Sequence, residues 1–100
     1  MWILSTPEGA EAPLTFRIRA GSIKTIGRAK RADFIVDAAL VSRLHCRVTA
    51  GATGLDVVDL DSTNGTFVNG RRVTRAPLQE GDVLGVGRVT LTVRRAQLDS

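Results

Sequence analysis

The amino-acid sequence predicts an all-β fold of the sandwich or barrel type, and three observations support this class. Apolar and polar side chains alternate over short stretches, as expected for strands with one buried face. Glycine-containing turn signals separate these stretches at close spacing. No long window shows the periodicity of an amphipathic helix. The length of 100 residues suits a single domain, which we assign to residues 1–100.

The strands are predicted in chain order from this alternation. A first strand near Trp2–Ser5 precedes a loop that contains Pro7 and Pro13, and a second strand begins at Leu14. Short apolar or alternating segments predict the remaining strands, at 23–26, 34–36, 44–48, 55–60, around Phe67 and Val73, at 84–86 and at 89–93.

Two Asn-Gly pairs mark the middle of the chain. Asn64-Gly65 and Asn69-Gly70 flank the short apolar segment 66–68. Asn and Gly both tolerate positive φ, so this pair is the strongest short-range signal for a two-residue hairpin. We therefore predict two successive tight hairpin turns.

Composition narrows the functional classes. The net charge of +4 favours an anionic partner. Scattered basic residues and only four aromatic residues argue against nucleic-acid binding. Long apolar segments and a signal peptide are both missing, so we expect no membrane association and a cytoplasmic location. Cys46 and His45 are the single cysteine and the single histidine, so we expect no metal and no cofactor.

Four short motifs follow one another along the chain. They are Gly27-Arg28, Ser42-Arg43-Leu44-His45, the segment 62–70 and Gly81-Asp82. Each alone reads as an ordinary turn or a solvated polar residue. Their order and spacing inside an all-β pattern resemble those of the forkhead-associated (FHA) domain family, with the motif-dense part at residues 27–93. The resemblance implies a β-sandwich of about eleven mostly antiparallel strands with its binding loops at one end.

The resemblance also implies a function, which is to bind phosphothreonine peptides in Ser/Thr-kinase signalling without catalysing a reaction. Residues expected to contact the phosphate are Arg28, Ser42, Arg43 and Thr63. Asn64 is expected to hold the peptide backbone. The residues expected to support the site structurally are Gly27, His45, Gly65, Asn69 and Gly70.

The residue types suit this chemistry. A phosphothreonine carries close to two negative charges and three acceptor oxygens, which the forked guanidinium of Arg28 can bind with charge assistance. Ser42 adds a hydroxyl donor, and Thr63 adds a hydroxyl or a backbone donor. The variable loops around residues 30–33 and 41–44 are expected to read the residues that flank the phosphothreonine.

A Ser42–His45 catalytic pair is the enzymatic alternative. In an extended segment, residues three apart lie roughly 10 Å from each other, too far for a hydrogen bond. We therefore predict that His45 is structural, and its alternation with Cys46 places it outside the main core.

Four aspartates lie at positions 33, 37, 59 and 61. We expect their carboxylates to be solvated rather than to form a cation site.

Two functional hypotheses remain. The first is a phosphothreonine-dependent binding module, monomeric, whose partner is phosphorylated by an upstream Ser/Thr protein kinase. The alternative is a scaffold of the same fold that mediates phosphorylation-independent interaction or self-association. The compatible residues at every binding position favour the first.

Overall fold

The computed structural model describes residues 1–96, which contain eleven β-strands and no helix. Consequently, nothing in this part of the chain is a helix that could span a membrane. The strands are β1 (Trp2–Ser5), β2 (Thr15–Ile18), β3 (Ile23–Gly27), β4 (Phe34–Ile35), β5 (Cys46–Ala50), β6 (Leu55–Asp59), β7 (Thr66–Val68), β8 (Arg71–Val73), β9 (Arg75–Leu78), β10 (Val83–Val86) and β11 (Val89–Arg95).

The strands form two sheets. The six-stranded sheet has the order β2-β1-β11-β10-β7-β8, and the five-stranded sheet has the order β4-β3-β5-β6-β9. Neighbouring strands run antiparallel except for β3 and β4, which pair in parallel over two residues. The predicted class, an all-β sandwich of about eleven mostly antiparallel strands, is therefore confirmed.

One apolar core lies between the two sheets, and strand alternation supplies it. Both sheets contribute inward-facing side chains, and packing these against each other removes their apolar surface from water. The Phe16 and Phe34 rings stack at a centroid distance of 4.5 Å, joining edge strands of opposite sheets. Cys46 is fully buried, and burial raises the pKa of its thiol to about 12. The buried residues of this core are Trp2, Leu4, Ile18, Ile26, Val36, Val41, Cys46, Val48, Ala50, Leu55, Val57, Leu78, Leu84, Val86, Leu91 and Val93.

Only one of the two predicted hairpin turns exists. Asn69 (φ 52°) and Gly70 (φ 82°) both have positive φ and join the antiparallel pair β7–β8, as predicted. The prediction for Asn64-Gly65 is wrong. This pair lies in a connection that leaves β6 in one sheet and enters β7 in the other, so the flanking strands do not pair with each other.

The alternation analysis missed β9, whose sequence is Arg-Ala-Pro-Leu. Pro77 argues against a strand because it has no backbone N–H to donate. However, β9 is the edge strand of its sheet and pairs only with β6. On the free side of β9 no neighbouring strand offers a carbonyl, so the missing N–H of Pro77 leaves no acceptor without a hydrogen bond there.

Three loops meet at one end of the sandwich, and we call them the loop cluster. They are the β3–β4 loop (28–33), the β4–β5 loop (36–45) and the β6–β7 loop (60–65). They converge because Cys46, at the start of β5, pairs with Ile26 near the end of β3 and with Asp59 at the end of β6. The β10–β11 turn lies at the same end, since Val86 pairs with Thr66.

Candidate functional site

The loop cluster encloses an open cleft of about 450 Å³. Four of the five predicted ligand-binding residues line it, although they come from three separate loops. Arg43, the fifth, is exposed but is not among the residues that line the cleft. The cleft is lined by Arg28, Asp37, Ala38, Ala39, Leu40, Val41, Ser42, Thr63 and Asn64.

Arg28 follows directly after β3 and is held at both its backbone and its side chain. Its N–H donates to the Ser42 carbonyl at 3.0 Å, and its Nε donates to the Val41 carbonyl at 3.0 Å. The Nε contact fixes the plane of the guanidinium, and within residues 1–96 the two terminal NH₂ groups of the fork have no hydrogen-bond partner. A planar fork with two free NH₂ groups suits bidentate binding of an anion.

Ser42 and Thr63 join two loops of the cluster. The Thr63 N–H donates to Ser42 Oγ at 3.0 Å, so this oxygen already accepts one hydrogen bond. The hydroxyl hydrogen of Ser42 remains available as a donor. Because the backbone donor of Thr63 is occupied, its side-chain hydroxyl is the group it can offer to a ligand.

Asn64 lines the same cleft as Arg28 and contacts the β4–β5 loop. Its Nδ2 donates to the Leu40 carbonyl at 3.1 Å. One amide hydrogen and the Oδ1 acceptor remain unused by this contact. A donor and an acceptor on one planar group match the alternating C=O and N–H groups of an extended peptide.

The structure corrects two statements about His45. The ring is completely buried, because His45 precedes the first residue of β5 and the alternation of that strand does not apply to it. The segment from Ser42 to His45 is bent rather than extended, and the Ser42 N–H donates to Nδ1 at 3.0 Å. The predicted separation of these two residues was therefore wrong.

The conclusion that Ser42 and His45 form no catalytic pair nevertheless stands, on different grounds. Nδ1 accepts a backbone N–H, so it carries no proton, and Nε2 donates to the Gly65 carbonyl at 2.7 Å. Neither ring nitrogen is left to take a proton from Ser42 Oγ. The imidazole is a structural link between two loops.

Asp59 is a residue whose role the sequence analysis missed. Its Oδ1 accepts hydrogen bonds from Ser62 Oγ (2.5 Å) and Thr66 Oγ1 (2.7 Å), and its Oδ2 accepts the Ser62 N–H at 3.2 Å. Desolvation, the largest single effect, raises the pKa of Asp59, but these hydrogen bonds together outweigh it and lower the pKa below its ordinary value. Asp59 therefore organises the β6–β7 loop instead of being a solvated carboxylate.

Gly27 and Gly65 lie in the loop cluster, where their lack of a side chain lets another part of the chain come close to their backbone. A Cβ on Gly27 would lie 2.0 Å from the Arg43 carbonyl oxygen, so the β4–β5 loop crosses directly over the end of β3. The Ala29 N–H donates to the same carbonyl at 3.1 Å. Gly65 has a φ of 92°, and a Cβ there would lie 2.7 Å from Arg72 Nε. Gly27 has no room for a side chain because its neighbours are backbone atoms, whereas a side chain at Gly65 would displace the flexible end of Arg72 and strain a residue at positive φ.

Other predicted residues lie away from the cleft. Asn69 and Gly70 follow the far end of β7, where Asn69 Nδ2 donates to Asp82 Oδ1 and its Oδ1 accepts the Val83 N–H. The segment 30–33, predicted to read flanking residues, does not line the cleft. Asp37 does, together with Ala38–Leu40, which sequence analysis did not single out.

The sandwich carries at one end a cleft that offers a guanidinium, hydroxyl groups and an amide, an arrangement that suits a binding module for an anionic ligand. The chain belongs to the FHA domain family, whose model matches residues 24–87. Over 78 residues it is 40% identical to the ABC transporter ATP-binding/permease protein Rv1747 of Mycobacterium tuberculosis. Over 80 residues it is 38% identical to the FHA domain-containing protein FhaA of the same organism. These matches cover 78% and 80% of this chain but only 9% and 15% of the two relatives.

Solved structures agree with this assignment. One, from a structural and functional analysis of phosphothreonine-dependent FHA domain interactions, has a TM-score of 0.86 and 33% identity, covering 97% of this chain and 98% of its own. The FHA domain of FhaA, complexed with the intracellular domain of Rv3910, has a TM-score of 0.84 and 33% identity, covering 94% and 100%. Family membership confirms the predicted class, a binding module of the FHA type.

Proposed function

We propose that the cleft binds a phosphothreonine of a partner protein, with Arg28, Ser42 and Thr63 at the phosphate and Asn64 at the peptide backbone. The observation that carries this proposal is the convergence of these four side chains, from three loops, on a single cleft. A phosphate carries close to two negative charges at neutral pH, and the cleft offers it a guanidinium and two hydroxyl groups.

Arg28 supplies the charge. Its Nε is engaged by the Val41 carbonyl, so the guanidinium is oriented before the ligand arrives and little side-chain entropy remains to be lost. The free NH₂ groups then form charge-assisted hydrogen bonds with phosphate oxygens. Ser42, whose oxygen is held by Thr63, donates its hydroxyl hydrogen to the same group.

Asn64 gives the site its preference for a peptide over a free phosphate. Its remaining N–H and its Oδ1 pair with a carbonyl and an N–H of the ligand backbone, which holds the chain extended beside the phosphothreonine. Arg43 is exposed next to Ser42 but does not line the cleft, so its contact with the phosphate would come from the rim of the site.

The proposed biology follows from the site. The module binds without catalysis, because the ring nitrogens of His45 are both engaged and Ser42 has no base. Residues 1–100 form one FHA domain that acts as a monomer in the cytoplasm and needs no metal or cofactor. Its partner is a protein phosphorylated on threonine by a Ser/Thr kinase, and nucleic acid and membranes are not its ligands.

The test is a titration against degenerate peptide pools that carry a fixed phosphothreonine, a fixed phosphoserine or the unphosphorylated residue. We expect binding to the phosphothreonine pool alone. Binding to none of the pools by the folded protein would contradict the proposal and favour the phosphorylation-independent scaffold. Binding that is equal for all three pools would contradict it as well.

The Arg28→Ala variant tests the assignment of the site. Truncating one member of a desolvated charge pair costs about 2–5 kcal/mol, or roughly thirty- to several-thousand-fold in affinity. The loss of the Nε–Val41 hydrogen bond lowers the free energy of unfolding by only about 1 kcal/mol. Arg17→Ala, an exposed arginine on β2 in the other sheet, is the matched control and should bind like the wild type. Affinity of Arg28→Ala within two-fold of the wild type, on the order of the scatter of such assays, would exclude Arg28 from the site.

A further inference from the structure

Leu40 has an unusual backbone conformation at the wall of the cleft. Its φ is 71°, in the left-handed region that β-carbon sterics disfavour for a leucine, and the residue is 44% exposed. A strained, exposed apolar residue is maintained only where the surrounding structure fixes it. The contacts of its carbonyl group explain why the strain is retained.

Two consecutive carbonyls of this segment orient the two principal ligand-binding side chains. The Leu40 carbonyl accepts from Asn64 Nδ2 at 3.1 Å, and the next carbonyl, of Val41, accepts from Arg28 Nε at 3.0 Å. Asn64 and Arg28 therefore take their directions from a single peptide segment. A shift of that segment would displace the proposed backbone contact and the proposed phosphate contact together.

The β10–β11 turn packs against this segment. Gly87 has a φ of 61°, and a Cβ there would lie 3.0 Å from Val41 Cγ2 and 3.1 Å from both the C and the O atoms of Leu40. Two of these three neighbours are backbone atoms, which cannot move aside as the end of a flexible side chain can. A side chain at position 87 must therefore push on the Leu40 peptide group.

We propose that Gly87 is a positioning residue of the binding cleft. By lacking a side chain, it lets the β10–β11 turn support the Leu40–Val41 peptide, which in turn orients Asn64 and Arg28. The ligand-binding part of this inference rests on the proposed function. Gly87 itself does not line the cleft and touches no ligand.

The experiment compares Gly87→Ala with Gly81→Ala. Gly81 also has a positive φ (93°) and lies in a turn, but a Cβ there would meet no atom within 4 Å. Both variants carry the backbone strain of an alanine at positive φ, and only the first carries the steric push. We would record the side-chain signals of Arg28 Nε–H and Asn64 Nδ2H₂ by ¹⁵N NMR, and the affinity for a phosphothreonine peptide.

In Gly87→Ala we expect both side-chain signals to shift and affinity to fall about ten-fold or more, because preorientation of two groups is lost. In Gly81→Ala we expect both signals unchanged and affinity within about two-fold of the wild type. Unshifted signals in Gly87→Ala would overturn the inference. If the wild type binds no phosphopeptide, the proposed function fails, but the NMR signals still decide the role of Gly87.

A second variant covers the case in which Gly87→Ala does not fold. In Leu40→Gly/Gly87→Ala, a glycine at position 40 lets the segment bend away from the added methyl group. We expect this double variant to fold, with the Arg28 and Asn64 signals still displaced from those of Leu40→Gly alone. Signals identical to those of Leu40→Gly would overturn the inference.

Discussion

His45 Nε2 lies 2.7 Å from the carbonyl oxygen of Gly65, and this buried hydrogen bond connects the β4–β5 loop to the β6–β7 loop. The other ring nitrogen accepts the Ser42 N–H. A rigid, planar ring thus sets the distance between Ser42 and the segment that carries Thr63 and Asn64. Because both loops supply ligand-binding groups, the geometry of the cleft depends on a side chain that is itself inaccessible to any ligand.

His45→Ala should therefore reduce both stability and binding. The substitution leaves the Ser42 N–H and the Gly65 carbonyl buried without partners and opens a cavity, so we expect a loss of about 2–5 kcal/mol in the free energy of unfolding. For a domain of this size that lowers Tm by roughly 10 °C or more. Thermal denaturation followed by circular dichroism measures it. Arg47→Ala, at an exposed position on β5, is the control. An unchanged melting curve would show that the two loops do not need the ring.

Asn64 and Asn69 begin similar Asn-Gly pairs but should respond differently to substitution by alanine. Asn64→Ala removes the donor and acceptor of the cleft, so we expect affinity to fall by about ten- to one-hundred-fold, while the lost hydrogen bond to the Leu40 carbonyl costs only about 1 kcal/mol of stability. Asn69→Ala removes the two side-chain hydrogen bonds to the Asp82–Val83 segment and strains a residue at a φ of 52°. We expect it to lose about 1–3 kcal/mol of stability and to keep its affinity.

Calorimetric titration and thermal denaturation of the two asparagine variants test this contrast. Asn69→Gly serves as a further control, because glycine accepts the positive φ and only the hydrogen bonds are lost. Loss of affinity in Asn69→Ala at a temperature where it is fully folded would mean that the far hairpin does contribute to the cleft.

The sequence predicted structure correctly where the geometry depends only on a few adjacent residues. Alternating strands and the Asn69-Gly70 turn were predicted correctly, because strand pleat and positive φ are properties of a few adjacent residues. Asn64-Gly65 has the same local pattern but lies where the chain crosses between sheets, and no local signal distinguishes the two cases. β9 was missed because its proline is tolerated only at a sheet edge, which is a property of the whole topology.

Within the site, the motif predicted the side chains but not the groups that orient them. Arg28 and Asn64 are recognisable by residue type, whereas their partners are the backbone carbonyls of Val41 and Leu40, which any residue type would supply. Asp59 was misinterpreted for a related reason. Its three hydrogen bonds come from Ser62 and Thr66, and only the fold of the loop turns these hydroxyl groups towards the carboxylate.

Gly27→Ala tests the close crossing of the β4–β5 loop over β3. The added Cβ would lie 2.0 Å from the Arg43 carbonyl oxygen and 2.7 Å from its carbon, so the two backbones must separate. That separation breaks the hydrogen bonds of Arg28 N–H and Ala29 N–H to this loop. We expect a loss of about 3 kcal/mol or more in the free energy of unfolding, measured by urea denaturation.

Gly54→Ala is the matched control for Gly27→Ala. A Cβ at Gly54 would meet no atom within 4 Å, and its φ is not in the left-handed region, so the substitution should be neutral or slightly stabilising. Equal denaturation midpoints for the two variants would show that the loop can shift away from β3 without penalty.

Asp59 should make stability depend on pH in the acid range. Its pKa is lowered in the folded state, so the unfolded chain binds more protons as the pH falls below the ordinary value of an aspartate. The stabilisation is fully present above that value, about 3.9, and is lost as the pH falls through the lower pKa of the folded state. We therefore expect Tm to drop steeply below about pH 4, since protonation removes an acceptor from Ser62 and Thr66.

Asp59→Asn isolates this contribution. We expect a lower Tm than that of the wild type at neutral pH, because an amide accepts at only one of its two atoms, and a shallower decline of Tm on acidification. Part of the decline should persist, since hydrogen bonds from the Thr25 backbone and side chain also lower the pKa of Asp33. Asp56→Asn, at an exposed position of the same strand, should follow the wild-type curve. Asp59 titrates only in the wild type, so it must change the slope of Tm against pH. Parallel Tm curves for Asp59→Asn and the wild type would show that other groups cause the acid sensitivity.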